Sequence, residues 1–360
     1  MKKLAIFGCG GLVYDFIYDY FKKLDVRLAA ICDTPGNMAR FARAYAVPAC
    51  YEDSGELLRK ERPDMALVFP ADDAAQFGLA KACMLAGADV MCERPVCHSL
   101  REGEELADLQ ERTGKFVMPR YNRRYMPAYV SALGILGGRQ GGSGDAEMQA
   151  AGPQAAGSGM GASGGGDGGS GSGFGRIYMY NAAFHAGAYA SDEAFAVNHV
   201  SHHLDLARML LGEIELRSVM ALREDGTRLG YQIAFEGPRG LLGCIQSNSF
   251  LCGDYPMERV EICGDRQQLI VENVRHLWHN RPVSRIGGTG AVDFAAAGGT
   301  KILNANNAQL DNRTHYGFEQ MAAEFARCAG TGERPAQDMA DALKTYALVE
   351  RLQAMAAKLD

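Results

Sequence analysis

The chain begins with a short apolar segment that runs directly into a glycine-rich turn. Residues 4–7 predict a buried strand, and Gly8, Gly10 and Gly11 follow it without a spacer. Glycine lets the backbone approach a ligand closely, and the N-terminus of a helix after such a turn stabilises a pyrophosphate. The third glycine position of the usual fingerprint is Val13, which is bulkier than glycine or alanine. The pattern still predicts the phosphate-binding turn of a dinucleotide site; a tight turn in a flavodoxin-like fold is the alternative.

An acidic residue stands where such a site needs one. An aromatic-rich helix ending near residue 24 leads to a second predicted strand, residues 26–32, and Asp33 ends it. A carboxylate at this position accepts hydrogen bonds from the hydroxyls of a ribose and repels a 2′-phosphate. We therefore expect NAD as the cofactor, in preference to NADP.

Strands and helices continue to alternate as far as residue 120. Residues 65–69 and 90–92 are apolar strands on either side of a helix over residues 73–86, and residues 116–118 form another short apolar run. This order predicts an α/β fold with a doubly wound parallel sheet. Glu93, Arg94 and Pro95 directly follow the strand at residues 90–92, and Pro95 cannot continue a strand. A charged pair is thus expected at the carboxyl end of a strand, where ligands of open α/β sheets bind.

The remainder of the chain has a different pattern. A short helix over residues 128–136 precedes a glycine-rich segment, residues 137–175, which we interpret as a flexible inserted loop because its composition buries little apolar surface. Alternating segments between residues 176 and 272 then predict an open, largely antiparallel sheet. Residues 287–299 form a second loose loop, and amphipathic helices over residues 318–328 and 339–358 close the chain. The predicted domains are a dinucleotide-binding Rossmann domain at 1–122, an α+β domain for substrate and oligomerisation at 123–335, and a C-terminal helix at 336–360.

Residues 198–212 predict a helix that carries several polar side chains and ends at Gly212. At 100° per residue, Asn198, His202 and Asp205 share one face, opposite an apolar face. His199 and His203 have the spacing of zinc helices but lack the following glutamate, so we expect no metal. A histidine beside an aspartate is compatible with a structural pair as well as with catalysis.

Composition excludes several classes of function. The net charge of −6 argues against a nucleic-acid surface and against a basic membrane patch. Ten scattered cysteines without a C-x-x-C pair suit reduced thiols, and no apolar run is long enough for a membrane span. We expect a cytoplasmic protein with a small-molecule partner, and a homodimer or homotetramer formed through the open sheet.

With these motifs assembled, the chain resembles the glucose-fructose oxidoreductase/inositol dehydrogenase family (Gfo/Idh/MocA), except over residues 137–175. The likeness rests on the glycine turn, the Ala-Gly-x-x-Val-x-Cys-Glu-x-Pro run at residues 86–95, Asn122-Arg123-Arg124-Tyr125, and His202-x-x-Asp205 followed by Leu-Leu-Gly. The resemblance implies a Rossmann domain, an open-sheet domain, and oxidation or reduction of hydroxyls of sugars, inositols or related polyols with NAD(P).

The chain departs from the family pattern at positions that carry chemistry. Arg94 stands where the family has lysine, Asn198 where it commonly has aspartate, Val200 where it has glycine, and Gln76 near the position of an earlier histidine. Arginine stays protonated and asparagine does not ionise, so His202 remains as the candidate acid/base. Asp205 is a candidate to orient it, and Tyr125 or Tyr180 are alternative proton donors.

These considerations give three sets of candidate residues. The catalytic candidates are His202, Arg94 and Asn198. The cofactor-binding candidates are Gly8, Gly10, Gly11, Asp33, Glu93, Arg94 and Asn122. The substrate-binding candidates are Arg94, Arg123, Asn198 and His202. The main hypothesis is an NAD-dependent sugar or polyol oxidoreductase. The alternatives are a weakly active or inactive member that binds NAD and sugar as a sensor or accessory subunit, and an NAD-recycling enzyme that cleaves glycosides.

Overall fold

The structure is a computed structural model in which the chain divides into two compact units. It describes residues 1–11, 13, 17–137, 174–224, 228–251, 257–280, 300–304 and 315–357. The predicted loop at 287–299, all but the ends of the predicted loop at 137–175, and residues 12 and 14–16 of the first predicted helix lie outside the described residues. The first unit comprises Met1–Asn122 and Gly317–Ala347, and the second comprises Arg123–Tyr316 and Leu348–Asp360.

The first unit is a parallel sheet of six strands in the order β3-β2-β1-β4-β5-β6. Its strands are β1 (Lys2–Phe7), β2 (Val26–Cys32), β3 (Cys50–Tyr51), β4 (Met65–Val68), β5 (Asp89–Cys92) and β6 (Val117–Pro119). Its helices are α1 (Tyr18–Phe21), α2 (Pro35–Ala44), α3 (Ser54–Glu61), α4 (Gln76–Leu85), α5 (Leu100–Thr113), α9 (Phe318–Thr331) and the first part of α10 (Met339–Ala356). All residues of the central strands β4 and β5 are buried, as expected for parallel strands covered on both faces. The predicted doubly wound parallel sheet is confirmed.

The second unit is built on an eight-stranded sheet in the order β14-β13-β12-β11-β7-β10-β9-β8. Its strands are β7 (Ile177–His185), β8 (Glu215–Arg223), β9 (Leu229–Gly237), β10 (Leu241–Asn248), β11 (Met257–Gly264), β12 (Gln267–Glu272), β13 (His276–Asn280) and β14 (Thr300–Asn304). Its helices are α6 (Pro127–Leu136), α7 (Asp192–Phe195) and α8 (Ser201–Leu211), and a π-helical turn, Ala196–Val200, separates α7 from α8. Among the described strands of this sheet, β7 and β10 pair in parallel and all other neighbours pair antiparallel, so the predicted largely antiparallel sheet is confirmed.

The two faces of this sheet differ in burial. Tyr180, Phe184 and Ile245 point into an apolar core that includes residues of α6 and α8. The opposite face exposes large apolar side chains, and the register places them on the same side: Met179, Met220, Leu222, Leu242 and Met257. The sheet is therefore covered by helices of its own unit on one face only, within the part of the chain that the structure describes.

The prediction that residues 317–335 belong to the second domain was wrong. This segment groups with the first unit because α9 packs there through aromatic contacts. The Phe325 ring lies 6.0 Å from that of Phe21 and 5.8 Å from that of Phe116, both edge-on. The C-terminal helix, predicted as one separate element, is also divided: α10 groups with the first unit up to Ala347 and with the second from Leu348.

Candidate functional site

The glycine turn after β1 has the geometry of a ligand cradle. Gly8 has φ +88° and donates its N–H to Cys32 O, and a Cβ at this position would stand 1.9 Å from Phe69 O. Gly11 has φ +44°, and a Cβ built there meets no atom within 4 Å. The first glycine is thus required for close packing between strands, whereas the last presents bare backbone to open space. The turn fits a bound pyrophosphate.

Asp33, at the end of β2, holds this turn in place. Its Oδ2 accepts a hydrogen bond from Cys9 N at 2.8 Å, and its Oδ1 accepts one from Thr34 N at 2.6 Å. Asn37 Nδ2 donates to the same carboxylate at 3.2 Å. The carboxylate is therefore fixed beside the glycine turn as a half-buried negative charge. Its closeness raises the pKa of the Cys9 thiol, after burial as the main cause, to about 12.

Glu93, at the carboxyl end of β5, is bound by two arginines. Its Oε2 accepts from Arg120 Nε at 2.6 Å, and its Oε1 accepts from Arg94 N at 2.8 Å. Burial by itself would raise the pKa of Glu93, but Arg120 first and then Arg94 hold it below the usual value for a glutamate. Glu93 is thus an anion with a fixed orientation.

Arg94 is buried and is positioned by the strand next to its own. Its Nε donates to Arg120 O at 3.0 Å, and its guanidinium lies 5.5 Å from the centre of the Tyr121 ring. Burial, and then the charge of Arg120, lower the pKa of Arg94, while Glu93 acts in the opposite direction. An arginine remains protonated even so, and Arg94 therefore serves as a hydrogen-bond donor and a positive charge.

Arg120 is a further residue of this group, and it is not among the candidates predicted from the sequence. This residue follows β6 directly, and its Nη1 donates to Asn122 Oδ1 at 3.2 Å. It joins Glu93 to Asn122, two of the cofactor-binding candidates, although 27 residues separate it from Glu93 in sequence. The available signal was its place after the apolar run 116–118, equivalent to that of Glu93 after residues 90–92.

The histidine helix differs from the uniform helix that we predicted. It ends at Gly212, as expected, but Ala196–Val200 has π-helical hydrogen bonding. A π turn adds a residue to the repeat, so faces derived at 100° per residue do not hold across it. Asn198 lies within this turn and is half-buried, whereas His202 is buried in the following α-helix. His202 and Asp205 are both buried, so the predicted polar face is not exposed to solvent.

His203 packs against the sheet of the second unit, and His199 lies beside it. The His203 ring stacks on Phe184 with 3.5 Å between centroids, and the His199 ring stacks on Phe195. The two histidine rings meet edge to face at 4.4 Å. Both histidines therefore belong to an aromatic cluster. Among the described residues, no group of three or more histidine, cysteine, aspartate or glutamate side chains has the arrangement of a metal site.

Asp205 is engaged with an arginine of the same unit. Its two carboxylate oxygens accept from Arg124 Nε at 2.8 Å and from Arg124 Nη2 at 2.6 Å, and both side chains are buried. Arg208 Nη1 lies 3.9 Å from the same carboxylate. Of the two roles that the sequence left open for Asp205, this geometry favours the structural one over orientation of His202.

Arg123, a substrate-binding candidate, forms a second such pair. Its guanidinium donates to Glu258 Oε2 at 2.7 Å and 3.2 Å, and Tyr129 donates its hydroxyl to Glu258 Oε1 at 2.6 Å. Tyr125 and Tyr180 are also buried. Burial raises the pKa of the Tyr180 hydroxyl far above the usual range, and Glu258 adds to this effect. A proton-donor role for Tyr180 therefore lacks support from its surroundings.

A glycine turn beside an acidic residue at the edge of a doubly wound parallel sheet is the arrangement of a dinucleotide-binding domain, and the comparisons with known proteins agree with it. Residues 2–121 match the family model described as "Oxidoreductase family, NAD-binding Rossmann fold". This match covers the parallel-sheet part of the first unit and agrees with the resemblance to the Gfo/Idh/MocA oxidoreductases.

Similarity to known proteins extends over the whole length. The chain is 23% identical to a D-apiose dehydrogenase of Paraburkholderia graminis over 357 residues, which cover 97% of this chain and 86% of that protein. A dehydrogenase structure from Chromobacterium violaceum has a TM-score of 0.79 at 17% identity, covering 100% of this chain and 96% of that one. An oxidoreductase from Agrobacterium radiobacter, solved with NAD+, L-tartaric acid and magnesium, has a TM-score of 0.76 at 17% identity, covering 100% and 97%. No helix among the described residues is both long and apolar enough to cross a membrane.

Proposed function

We propose that the chain is an NAD-dependent dehydrogenase that transfers a hydride between nicotinamide and a hydroxyl or keto group of a sugar or inositol-like polyol. The observation that carries this proposal is the open glycine turn beside a fixed Asp33 carboxylate, in a family of oxidoreductases. Support for the substrate class comes from the D-apiose dehydrogenase and from an inositol dehydrogenase of Lactiplantibacillus plantarum, which is 25% identical over 36% of this chain.

The residues of the first unit suit the binding of the cofactor. Gly8, Gly10 and Gly11 provide backbone for the pyrophosphate, and Asp33 accepts from the adenosine ribose. Glu93 and Asn122, both held by Arg120, provide acceptors at the carboxyl ends of β5 and β6. Bound NAD supplies the hydride acceptor for alcohol oxidation. The negative charge of Asp33 opposes a 2′-phosphate, which supports NAD over NADP.

The proton that leaves the hydroxyl requires a base among the side chains. Arg94 stays protonated, so we assign it to the substrate oxygen, where its positive charge stabilises a developing alkoxide. Asn198 does not ionise and is assigned a hydrogen bond to substrate. The carboxylate of Asp205 is paired with Arg124. His202 is therefore the proposed proton acceptor, because imidazole exchanges protons near neutral pH.

A substrate panel tests the proposed function. We expect the purified chain to oxidise at least one sugar or inositol with NAD, or to reduce the corresponding ketone with NADH, in a spectrophotometric assay at 340 nm. Because of Asp33, kcat/KM with NAD is expected to exceed that with NADP by about tenfold or more. The Asp33→Ser variant removes the negative charge, and we expect it to lower the ratio of kcat/KM with NAD to kcat/KM with NADP. Lack of NADH binding and of turnover across the panel would contradict the proposal.

We also propose that the chain forms a homodimer or homotetramer through the open face of its second sheet. Met179, Met220 and Leu242 on that face are 46%, 58% and 61% exposed, and Leu222 and Met257 extend the same surface. An apolar surface of this kind in a sheet is a common site of association. Analytical ultracentrifugation is expected to show a dimer or tetramer, and Leu242→Asp is expected to weaken it. A monomer at micromolar concentration would contradict this assignment.

A further inference from the structure

Three charged side chains meet at the carboxyl ends of β5 and β6. Glu93 and Arg94 follow β5, and Arg120 follows β6, the neighbouring strand. Glu93 Oε2 lies 2.6 Å from Arg120 Nε, and Glu93 Oε1 lies 3.8 Å from Arg94 Nε. One carboxylate therefore compensates two guanidinium groups, so Glu93, Arg94 and Arg120 together have a net charge of +1. The acidic residues that follow β4, Asp72 and Asp73, are exposed, where water and salt screen them.

The guanidinium of Arg120 is fixed by hydrogen bonds from two of its three nitrogens. Nε is bound by Glu93, Nη1 by the Asn122 amide oxygen at 3.2 Å, and the guanidinium lies 6.0 Å from the centre of the Phe318 ring. Its side chain is 12% exposed. Within the part of the chain that the structure describes, Nη2 donates no hydrogen bond. A guanidinium fixed on two sides loses little side-chain entropy when its third nitrogen binds a ligand oxygen.

We propose that Arg120 binds a carboxylate of the substrate, so that the substrate is a polyhydroxy acid such as an aldonic or uronic acid. This inference rests on the proposed dehydrogenase function and specifies its substrate class. A carboxylate carries one negative charge, which matches the single excess positive charge, whereas a phosphate monoester carries nearly two. The cofactor's pyrophosphate is not the expected partner, because β6 is three strands from β1, roughly 14 Å across the sheet.

Matched ligands test the inference without requiring turnover. The full chain is saturated with NADH and titrated calorimetrically with D-gluconate, D-sorbitol and D-sorbitol 6-phosphate. D-Gluconate is expected to bind about tenfold or more tightly than D-sorbitol, because a charge-assisted hydrogen bond is worth roughly that factor or more. Equal affinities would overturn the proposal. Tightest binding of D-sorbitol 6-phosphate would overturn the carboxylate in favour of a phosphate.

Variants locate the preference at Arg120. In Arg120→Met the preference for D-gluconate is expected to fall to within about threefold, and Arg120→Lys, which keeps the charge but loses the planar fork, is expected to retain part of it. Arg334→Met is the matched control, since Arg334 pairs with the exposed Glu111, and it is expected to retain the full preference. A preference that Arg120→Met leaves intact would overturn the role of Arg120. If Arg120→Met does not fold, the proposal is tested by Arg120→Lys and by the affinities of the wild-type chain for D-gluconate and D-sorbitol.

Turnover separates this inference from the proposed function. Oxidation of neutral polyols in preference to their acids would overturn the inference and leave the dehydrogenase assignment standing. Tight D-gluconate binding that depends on Arg120, without turnover of any acid or neutral polyol, would support the anion site and contradict the dehydrogenase assignment.

Discussion

Replacing His202 with glutamine is expected to lower kcat by about 100- to 10,000-fold, the range typical for loss of a general acid or base. Glutamine approximates the size of histidine and donates hydrogen bonds, but it does not exchange a proton near neutral pH. Because the glycine turn and Asp33 are untouched, the affinity for NADH, measured by fluorescence titration, is expected to change by less than about threefold. The substrate that the panel identifies serves for the measurement of kcat.

His203→Gln provides the matched control on the same helix. His203 is buried and stacks on Phe184, so its loss is expected to lower the melting temperature through packing, with kcat reduced by less than about tenfold. A His202→Gln enzyme with undiminished kcat would remove His202 from the mechanism. Since Arg94 and Asn198 do not accept a proton, the base would then have to come from another residue or from water.

Much of the first unit could be predicted because its central strands are continuous apolar runs bounded by glycine, proline or acidic residues. Residues 65–69 and 90–92 show this pattern, and both predict strands within one residue of β4 and β5. β3 has only two residues, Cys50 and Tyr51, which is too short for any periodicity. β13, His276–Asn280, was also missed, because its histidines and asparagine conceal the alternation of buried Leu277 with half-buried Trp278.

The candidate site was less predictable, since sequence reveals residue types and positions but not long-range pairs. The position of Asp33 after a strand indicated its place beside the glycine turn, because both lie at the same edge of a parallel sheet. The partner of Glu93 could not be inferred, because Arg120 reaches it from another strand. The faces of the histidine helix were misassigned because the residue types in Ala196–Val200 do not indicate a π turn.

The two adjacent arginines of the Asn122-Arg123-Arg124-Tyr125 motif lie in a 3-10 turn and bind different carboxylates. Arg123 binds Glu258 on β11, and Arg124 binds Asp205 on α8, so the turn is fastened to both the sheet and the helix of the second unit. Both arginine pairs are largely buried. The motif that carries the family resemblance therefore has a structural function in this chain. The guanidinium of Arg123, predicted to bind substrate, is already bound to Glu258.

Arg124→Met is accordingly expected to destabilise the second unit by about 3–5 kcal/mol, because it leaves the buried Asp205 carboxylate without its bidentate partner. Arg208, at 3.9 Å, offers only partial compensation. The measurement is the free energy of unfolding from urea denaturation, followed by circular dichroism.

Arg217→Met is the matched control, because Arg217 pairs with Glu236 at the surface and is 51% exposed, where an ion pair is worth about 1 kcal/mol or less. In the double variant Arg124→Met/Asp205→Leu no buried charge is left unpaired, and we expect it to recover part of the lost stability. If Arg124→Met lowers the free energy of unfolding no more than Arg217→Met does, the Arg124–Asp205 pair does not stabilise the position of the helix. Asp205 would then again be a candidate to orient His202, one turn away on α8.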